Sequence, residues 1–166
     1  MPELQTLDPV AETIITFLHK IGLTVRYTAL DDTTFLPGLH LEPGGLVVDP
    51  EKLKYPGDLL HEAGHLAVMT PERRSSTGQK AGDDLGDEIG AQCWSYAAAM
   101  HLRLPPQVVF HLDGYKGAAD ALIGNYSSGT IGVPLLQWMG LTLDTQRAAA
   151  EGKAPYPVMQ RWLRQE

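Results

Sequence analysis

The stretch that decides the interpretation of this chain is His61-Glu62-Ala63-Gly64-His65, an HExxH pentad. On an α-helix, residues four apart share a face, so the two imidazoles can converge on one small cation. Neutral imidazole is a good zinc ligand, and the glutamate between them is placed to accept a proton from a metal-bound water. The pentad therefore predicts the core of a zinc hydrolase.

The residues around the pentad predict a mostly buried helix over residues 56–69. A turn cluster at residues 55–58 can open this helix, and Thr70-Pro71 ends it. Burying two histidines and a glutamate is costly unless each has a partner, and a zinc ion provides one. Gly64 is a poor helix former, so a small residue there is expected if another backbone approaches closely.

A second helix is predicted to begin in the acidic segment 83–92 and to run to about residue 102, before Pro105-Pro106. Acidic residues at a helix start commonly serve as caps or interact with the helix dipole. That ordinary role explains Asp83 and Asp84 well, and it explains Glu88 less well.

Glu88 is the favoured third ligand, because zinc in a hydrolase takes three protein ligands and keeps one open position. Its helical face carries small residues, and Gly86 and Gly90 are expected to permit close approach to the pentad helix. Asp87 and Asp84 remain alternatives to Glu88 at this stage.

The combined pattern resembles a known family. It consists of His61-Glu62-x-x-His65, Glu88-x-x-Ala91-x-x-Trp94-Ser95 and Leu104-Pro105-Pro106. It is similar to the compact gluzincin metallopeptidases, and within them to the ImmA/IrrE family of bacterial regulatory metallopeptidases, over residues 39–106. The resemblance implies a zincin-like fold, zinc held by His61, His65 and Glu88, and Glu62 as the general base. It also implies that residues 46–49 form an edge strand beside the cleft.

The expected function is a zinc-dependent metallopeptidase that acts on a peptide or protein substrate lying extended along the 46–49 edge. One alternative is a metal-binding but catalytically inactive regulatory or interaction protein. Others are a metal-free scaffold and a hydrolase of small-molecule amides or esters. Manganese or nickel would also suit imidazole and carboxylate ligands.

Four side chains are chemically able to stabilise the oxyanion formed during hydrolysis: His101, His111, Tyr115 and Tyr126. A structural role is the competing interpretation for each of them. Cys93 is expected to be a buried small thiol rather than a nucleophile.

Composition is that of an ordinary globular protein, with 43% hydrophobic and 20% charged residues, and it predicts one domain over residues 1–166. A net charge of −7 argues against a nucleic-acid-binding surface. No apolar stretch is long enough to span a membrane, and the first residues do not resemble a signal peptide. With a lone cysteine excluding an internal disulfide, a bacterial-type cytoplasm is the expected compartment.

The element order predicts an α+β fold with a small antiparallel sheet packed on the metal-bearing helices. A helix over residues 9–21 and a strand over 23–27 precede a hairpin of 39–41 with 46–48. Residues 70–82 form a polar loop that is a candidate lid. Residues 107–166 are a helical extension of the same domain, with short helices predicted at residues 107–112, 118–123, 134–139 and 156–163.

Overall fold

A computed structural model describes residues 7–82, 84–115 and 117–166. Within these residues the chain forms seven α-helices and one three-stranded sheet, which is the predicted α+β class. In chain order the elements are α1 (Pro9–Ile21), β1 (Thr24–Tyr27), β2 (Leu39–Glu42), β3 (Gly45–Val48), α2 (Asp58–Val68), α3 (Pro71–Arg74), α4 (Leu85–His101), α5 (Ala119–Ser127), α6 (Val133–Trp138) and α7 (Thr145–Glu151).

The sheet is mixed, so the prediction of an antiparallel sheet is only half right. β2 and β3 form the predicted antiparallel hairpin, with Leu39 opposite Val48 and Glu42 opposite Gly45. β1, however, pairs with β3 in parallel, and the strand order is β1-β3-β2. The connection over residues 28–38 leads from β1 to β2, which lies at the opposite edge of the sheet, and leaves the central position for β3. The hairpin then reverses direction, so β3 runs alongside β1.

β3 is the central strand, and the expectation that residues 46–49 form an edge strand is therefore wrong. All of its residues are buried, as is usual for a continuous apolar run flanked by a strand on each side. The two edge strands are β1 and β2, and β2 is the one beside the cleft. On β2, Leu39 and Leu41 also face the chain beyond the sheet. The outward-facing backbone of β2 is covered by the chain itself, because Leu41 N–H donates to the Gln79 carbonyl at 2.9 Å and Leu36 bridges to Leu39.

The helices α2 and α4 pack closely against each other at Gly64. A Cβ added at Gly64 would lie 2.6 Å from the Ala91 carbonyl oxygen, which is too close for any side chain. Ser95 then joins the two helices, because its hydroxyl lies 2.6 Å from the Ala91 carbonyl and 3.1 Å from the Leu60 carbonyl. The predicted reason for a small residue at position 64 is thus confirmed.

The other two glycines of this helix pair behave differently from Gly64. Gly90 faces α2, but an added Cβ would lie 3.4 Å from the nearest atom of Val68, which is an ordinary contact distance. At Gly86 an added Cβ would lie 3.0 Å from Oδ1 of Asp84, the N-cap residue of the same helix, and no atom of α2 is among its described contacts. The predicted close approach at Gly86 is wrong, because this residue lies in the first turn of α4, where its neighbour is its own helix cap.

The C-terminal third contains three short helices, which are joined by longer non-helical segments. α5 and α6 lie where helices are predicted, at residues 118–123 and 134–139, although α5 continues to Ser127. α7 has no counterpart in the prediction. The helix expected at residues 107–112 is reduced to a 3₁₀ turn, Pro106–Val108.

The last predicted helix, over residues 156–163, is wrong, because this segment bonds to other elements instead of to itself. Trp94 Nε1 donates to the Trp162 carbonyl at 2.8 Å, and Arg164 N–H donates to the Ala67 carbonyl at 2.9 Å. The tail, residues 156–166, is therefore hydrogen-bonded to α2 and α4. In the described ranges, no helix has both the length and the apolar character needed to cross a bilayer.

Replacement of Gly64 by alanine is expected to destabilise the fold by about 1–3 kcal/mol, because the methyl group overpacks the α2–α4 contact. Gly124→Ala is the matched control, since Gly124 is also helical and an added Cβ there meets nothing within 4 Å. The control should stabilise the protein by roughly 0.5–1 kcal/mol through helix propensity. Chemical denaturation of both variants measures the difference, and equal stabilities would contradict the packing argument.

Candidate metal centre

Two histidines and one glutamate converge at the junction of α2 and α4. His61 and His65 lie one turn apart on α2, with ring centroids 4.9 Å from each other. Glu88, from the first turn of α4, places Oε1 at 3.3 Å from His61 Nε2 and Oε2 at 2.9 Å from His65 Nε2. The structure thus brings together the three residues that were predicted as ligands.

The dimensions of this group suit a metal ion. Two atoms that are each about 2.1 Å from one ion can be at most about 4.2 Å apart, and both nitrogen–oxygen separations fall within that limit. One ligand atom from each residue can be chosen so that all three lie within 4.8 Å of one another, which is slightly above this limit, so a bound ion would draw the ligands a little closer together. Two imidazole nitrogens and a carboxylate could therefore hold a divalent cation. Across the part of the chain that the structure describes, no other such His, Cys, Asp or Glu group is found.

The alternative ligands on α4 have other partners. Asp87 Oδ2 accepts a hydrogen bond from Arg73 at 2.9 Å, because one step along a helix rotates a side chain by about 100° away from the Glu88 face. Asp84 is the N-cap and accepts the backbone N–H of Asp87 at 2.9 Å. Asp83 lies outside the described residues. Glu88 is therefore the acid that reaches both imidazoles.

Burial and neighbouring groups favour a neutral His61 and an ionised Glu88, and these are the forms that can bind a cation. Burial lowers the pKa of His61, so this ring stays neutral. Burial opposes charge at Glu88 as well, but its hydrogen bond with His65 and the two nearby imidazoles outweigh this effect and lower its pKa. At His65, burial is outweighed by Glu88, and the pKa is raised. His65 is consequently the ligand at which a proton competes with a metal ion.

Glu62 lies on α2 between the two histidines, is buried, and lines the same cleft. Burial raises its pKa to about 7, and the nearby carboxyl of Asp58 acts in the same direction. A carboxylate whose pKa lies near neutrality can both accept a proton and return it. The geometry is therefore compatible with the predicted role of general base.

A cleft of about 800 Å³ opens above these residues. One wall is the loop over residues 29–36, which is anchored because Leu30 N–H donates to Asp49 Oδ2 at 2.9 Å. The other wall is formed by residues 79–82 together with the start of α4. The candidate ligands His61, His65 and Glu88 therefore line a cleft between residues 29–36 and residues 79–82.

The segment predicted as a lid divides into two parts. Its first part is α3, where Arg74 donates to the carbonyls of Leu66 at 2.8 Å and Met69 at 2.9 Å. These bonds satisfy carbonyl groups at the C-terminal end of α2. Its second part, residues 79–82, is the cleft wall. Residues 71–74 are therefore bound to the pentad helix, which leaves only the second part beside the cleft.

Sequence reasoning missed an outer layer of contacts around the ligands. Tyr115 Oη lies 3.1 Å from His61 Nδ1. Gln92 Nε2 donates to Glu88 Oε1 at 3.2 Å, and Gln92 Oε1 accepts from Tyr126 at 2.7 Å. Gln92 follows Glu88 by about one helical turn on α4, so the sequence could have predicted the contact between Gln92 and Glu88. Nothing local to Tyr115 or Tyr126 pointed to these partners.

The remaining candidates from the sequence occupy structural positions. His101 packs against Phe17 in a separate aromatic cluster at the end of α4. His111 Nε2 lies 2.8 Å from Asp58 Oδ1. Cys93 is buried, as predicted, and burial raises its pKa to about 12, which disfavours the reactive thiolate form.

No protein-family model, curated protein or solved structure matches this chain. The function is therefore inferred from the geometry of the cleft and from the chemistry of its residues.

Glu88→Gln is expected to weaken zinc binding by more than about 100-fold, since loss of a mere outer-shell partner costs about 10–100-fold. Asp87→Asn removes the same charge one position away, and it should change the affinity by less than about fivefold. Competition with a chromophoric chelator measures both constants. Similar losses in the two variants would indicate non-specific attraction to the acidic segment instead of ligation.

Zinc affinity is expected to fall as the pH decreases, because the raised pKa of His65 lets a proton occupy the metal-binding nitrogen. Above that pKa the ring is neutral and affinity should level off. Below it, displacement of one proton per ion predicts a loss of about tenfold for each pH unit. Chelator competition between about pH 5 and pH 8 tests this, and a flat profile would contradict it.

Proposed function

We propose that this protein is a zinc-dependent metallopeptidase with a zincin-like arrangement of sheet and helices, similar to the ImmA/IrrE type of minimal gluzincin. The observation that carries the proposal is the convergence of His61, His65 and Glu88 beside the buried Glu62 at the base of a cleft. Each of these groups has the chemistry that metal-assisted hydrolysis requires.

In the proposed reaction, three residues bind the ion and a fourth transfers the proton. His61, His65 and Glu88 would hold the ion, and when bound it would lower the pKa of a water molecule and polarise the peptide carbonyl. Glu62 accepts the proton of the attacking water and then returns it to the leaving amine, so that the peptide amide bond breaks as the acid and amine form. The raised pKa of Glu62 supports this double role.

A peptide substrate is proposed to enter the cleft between residues 29–36 and 79–82. It is not expected to add a strand to the sheet, because β3 is central, the outer edge of β2 is covered at Leu39 and Leu41, and the other edge strand, β1, does not line the cleft. Two exposed apolar side chains on the cleft support a peptide as the substrate: Phe35 is 74% exposed and Leu85 is 72% exposed. Exposed apolar surface beside a polar cleft is typical of sites that bind peptides or proteins.

Glu62→Gln is expected to reduce peptide cleavage by about 10²–10⁴-fold while leaving zinc affinity essentially intact, because Glu62 moves the proton and does not hold the ion. Glu72→Gln, at an exposed position on α3, is the control and should retain full activity. Cleavage of a peptide library by zinc-loaded protein, monitored by mass spectrometry, provides the measurement. Full activity of Glu62→Gln would falsify the mechanism.

The same experiment distinguishes the alternative of an inactive metal-binding regulator. If the unmodified protein binds one zinc ion but cleaves no peptide or protein substrate, that alternative is favoured. If it binds no metal when purified without chelators, both proposals are wrong.

A further inference from the structure

We propose that Tyr115 is a positioning residue of the metal centre, which orients His61 from the side of the ring opposite the ion. This inference rests on the proposed metal site and adds to it a residue from outside the two ligand-bearing helices. It also assigns a role to the chain segment that follows Pro105-Pro106.

The two ring nitrogens of His61 face different partners. Nε2 faces Glu88 at 3.3 Å, and Nδ1 faces the Tyr115 hydroxyl at 3.1 Å. These nitrogens point in diverging directions, so the phenol oxygen lies away from the ion position. A ring that binds metal through Nε2 carries its proton on Nδ1, and this N–H then donates to the Tyr115 oxygen. The contact fixes both the tautomer and the orientation of the ring.

Tyr115 is itself held in place. Its ring packs against the buried Phe110 with centroids 5.4 Å apart, and it meets the His61 ring nearly edge-on at 79°. A phenol hydroxyl has free lone pairs, so it can accept the N–H from His61. A fixed acceptor suits the orientation of a metal-binding imidazole.

A second contact attaches the same segment to α2. His111 Nε2 lies 2.8 Å from Asp58 Oδ1, and the His111 ring stacks on Tyr55 with centroids 4.0 Å apart. Asp58 precedes His61 by about one helical turn, and His111 lies a similar distance along the chain before Tyr115. The segment over residues 109–115 is therefore joined to α2 at two successive positions, of which the second is a metal ligand.

The test compares two tyrosine variants. Tyr115→Phe removes only the hydroxyl, and it should weaken zinc binding by about 10–100-fold, the usual cost of losing an outer-shell partner. Tyr156→Phe is the control, because Tyr156 is also buried and its hydroxyl donates to the Cys93 carbonyl at 2.8 Å, away from the ligands. The control should keep the wild-type zinc affinity. Equal affinity of Tyr115→Phe and wild type would overturn the inference.

A measurement on the wild-type protein does not depend on how the variants fold. In the zinc-loaded protein labelled with ¹⁵N-histidine, the spectrum should show His61 protonated at Nδ1, with a proton shifted downfield and slow to exchange with water. In Tyr115→Phe this resonance should move upfield. A His61 ring protonated at Nε2, or an Nδ1 proton that exchanges rapidly in the wild type, would overturn the assignment.

A double-mutant cycle separates the two contacts. If His111 acts by placing Tyr115, then His111→Ala should weaken zinc binding in the wild-type background and have little further effect in Tyr115→Phe. Fully additive losses would overturn the linkage between the two contacts. If wild type itself binds no zinc, the proposed function fails; if wild type binds zinc and Tyr115→Phe binds it equally well, only this inference fails.

Discussion

The close approach of α2 and α4 at Gly64 is the constraint on which the rest of the structure depends. α2 carries both imidazoles and α4 carries the carboxylate, so the separation of the two helices sets the distances from the carboxylate to both imidazoles. The backbone of Ala91 occupies the space where a side chain at position 64 would lie, and Ser95 bonds across the junction. The weak helix propensity of glycine is therefore offset by the geometry that it permits.

That geometry places polar groups within the protein core, and the three candidate ligands each meet a partner from another element. His65 and Glu88 bond to each other, Gln92 connects Glu88 to Tyr126, and Tyr115 meets His61. Buried polar groups without partners are costly, whereas a connected network holds its members in one arrangement. The site is thus ordered by the protein before any ion enters, which favours binding because little remains to be fixed.

How far the sequence predicts this protein depends on how local each signal is. The pentad helix, the Glu88 helix and the β2–β3 hairpin follow from helical spacing and from a Pro-Gly turn, and all are present. The parallel pairing of β1 with β3 depends on the path of the chain over residues 28–38, for which no periodic pattern exists. The Tyr115–His61 contact joins residues 54 positions apart, and the tail at residues 156–163 bonds to α2 and α4 instead of forming a helix. These features are decided by tertiary contacts, which a local pattern cannot reveal.

The sequence pattern that predicts a metallopeptidase ends near residue 106, yet side chains from the C-terminal third contact the candidate site. Tyr115 and Tyr126 reach the ligands directly or through Gln92, and the tail fastens the end of α2 through Arg164. Because an ion would join α2 and α4, and these helices also hold the C-terminal segments, metal binding and folding would be thermodynamically linked. A chain truncated after the two ligand-bearing helices would keep all three ligands but lose the contacts that orient them. The ligand motif and the C-terminal third are therefore best regarded as one structural unit.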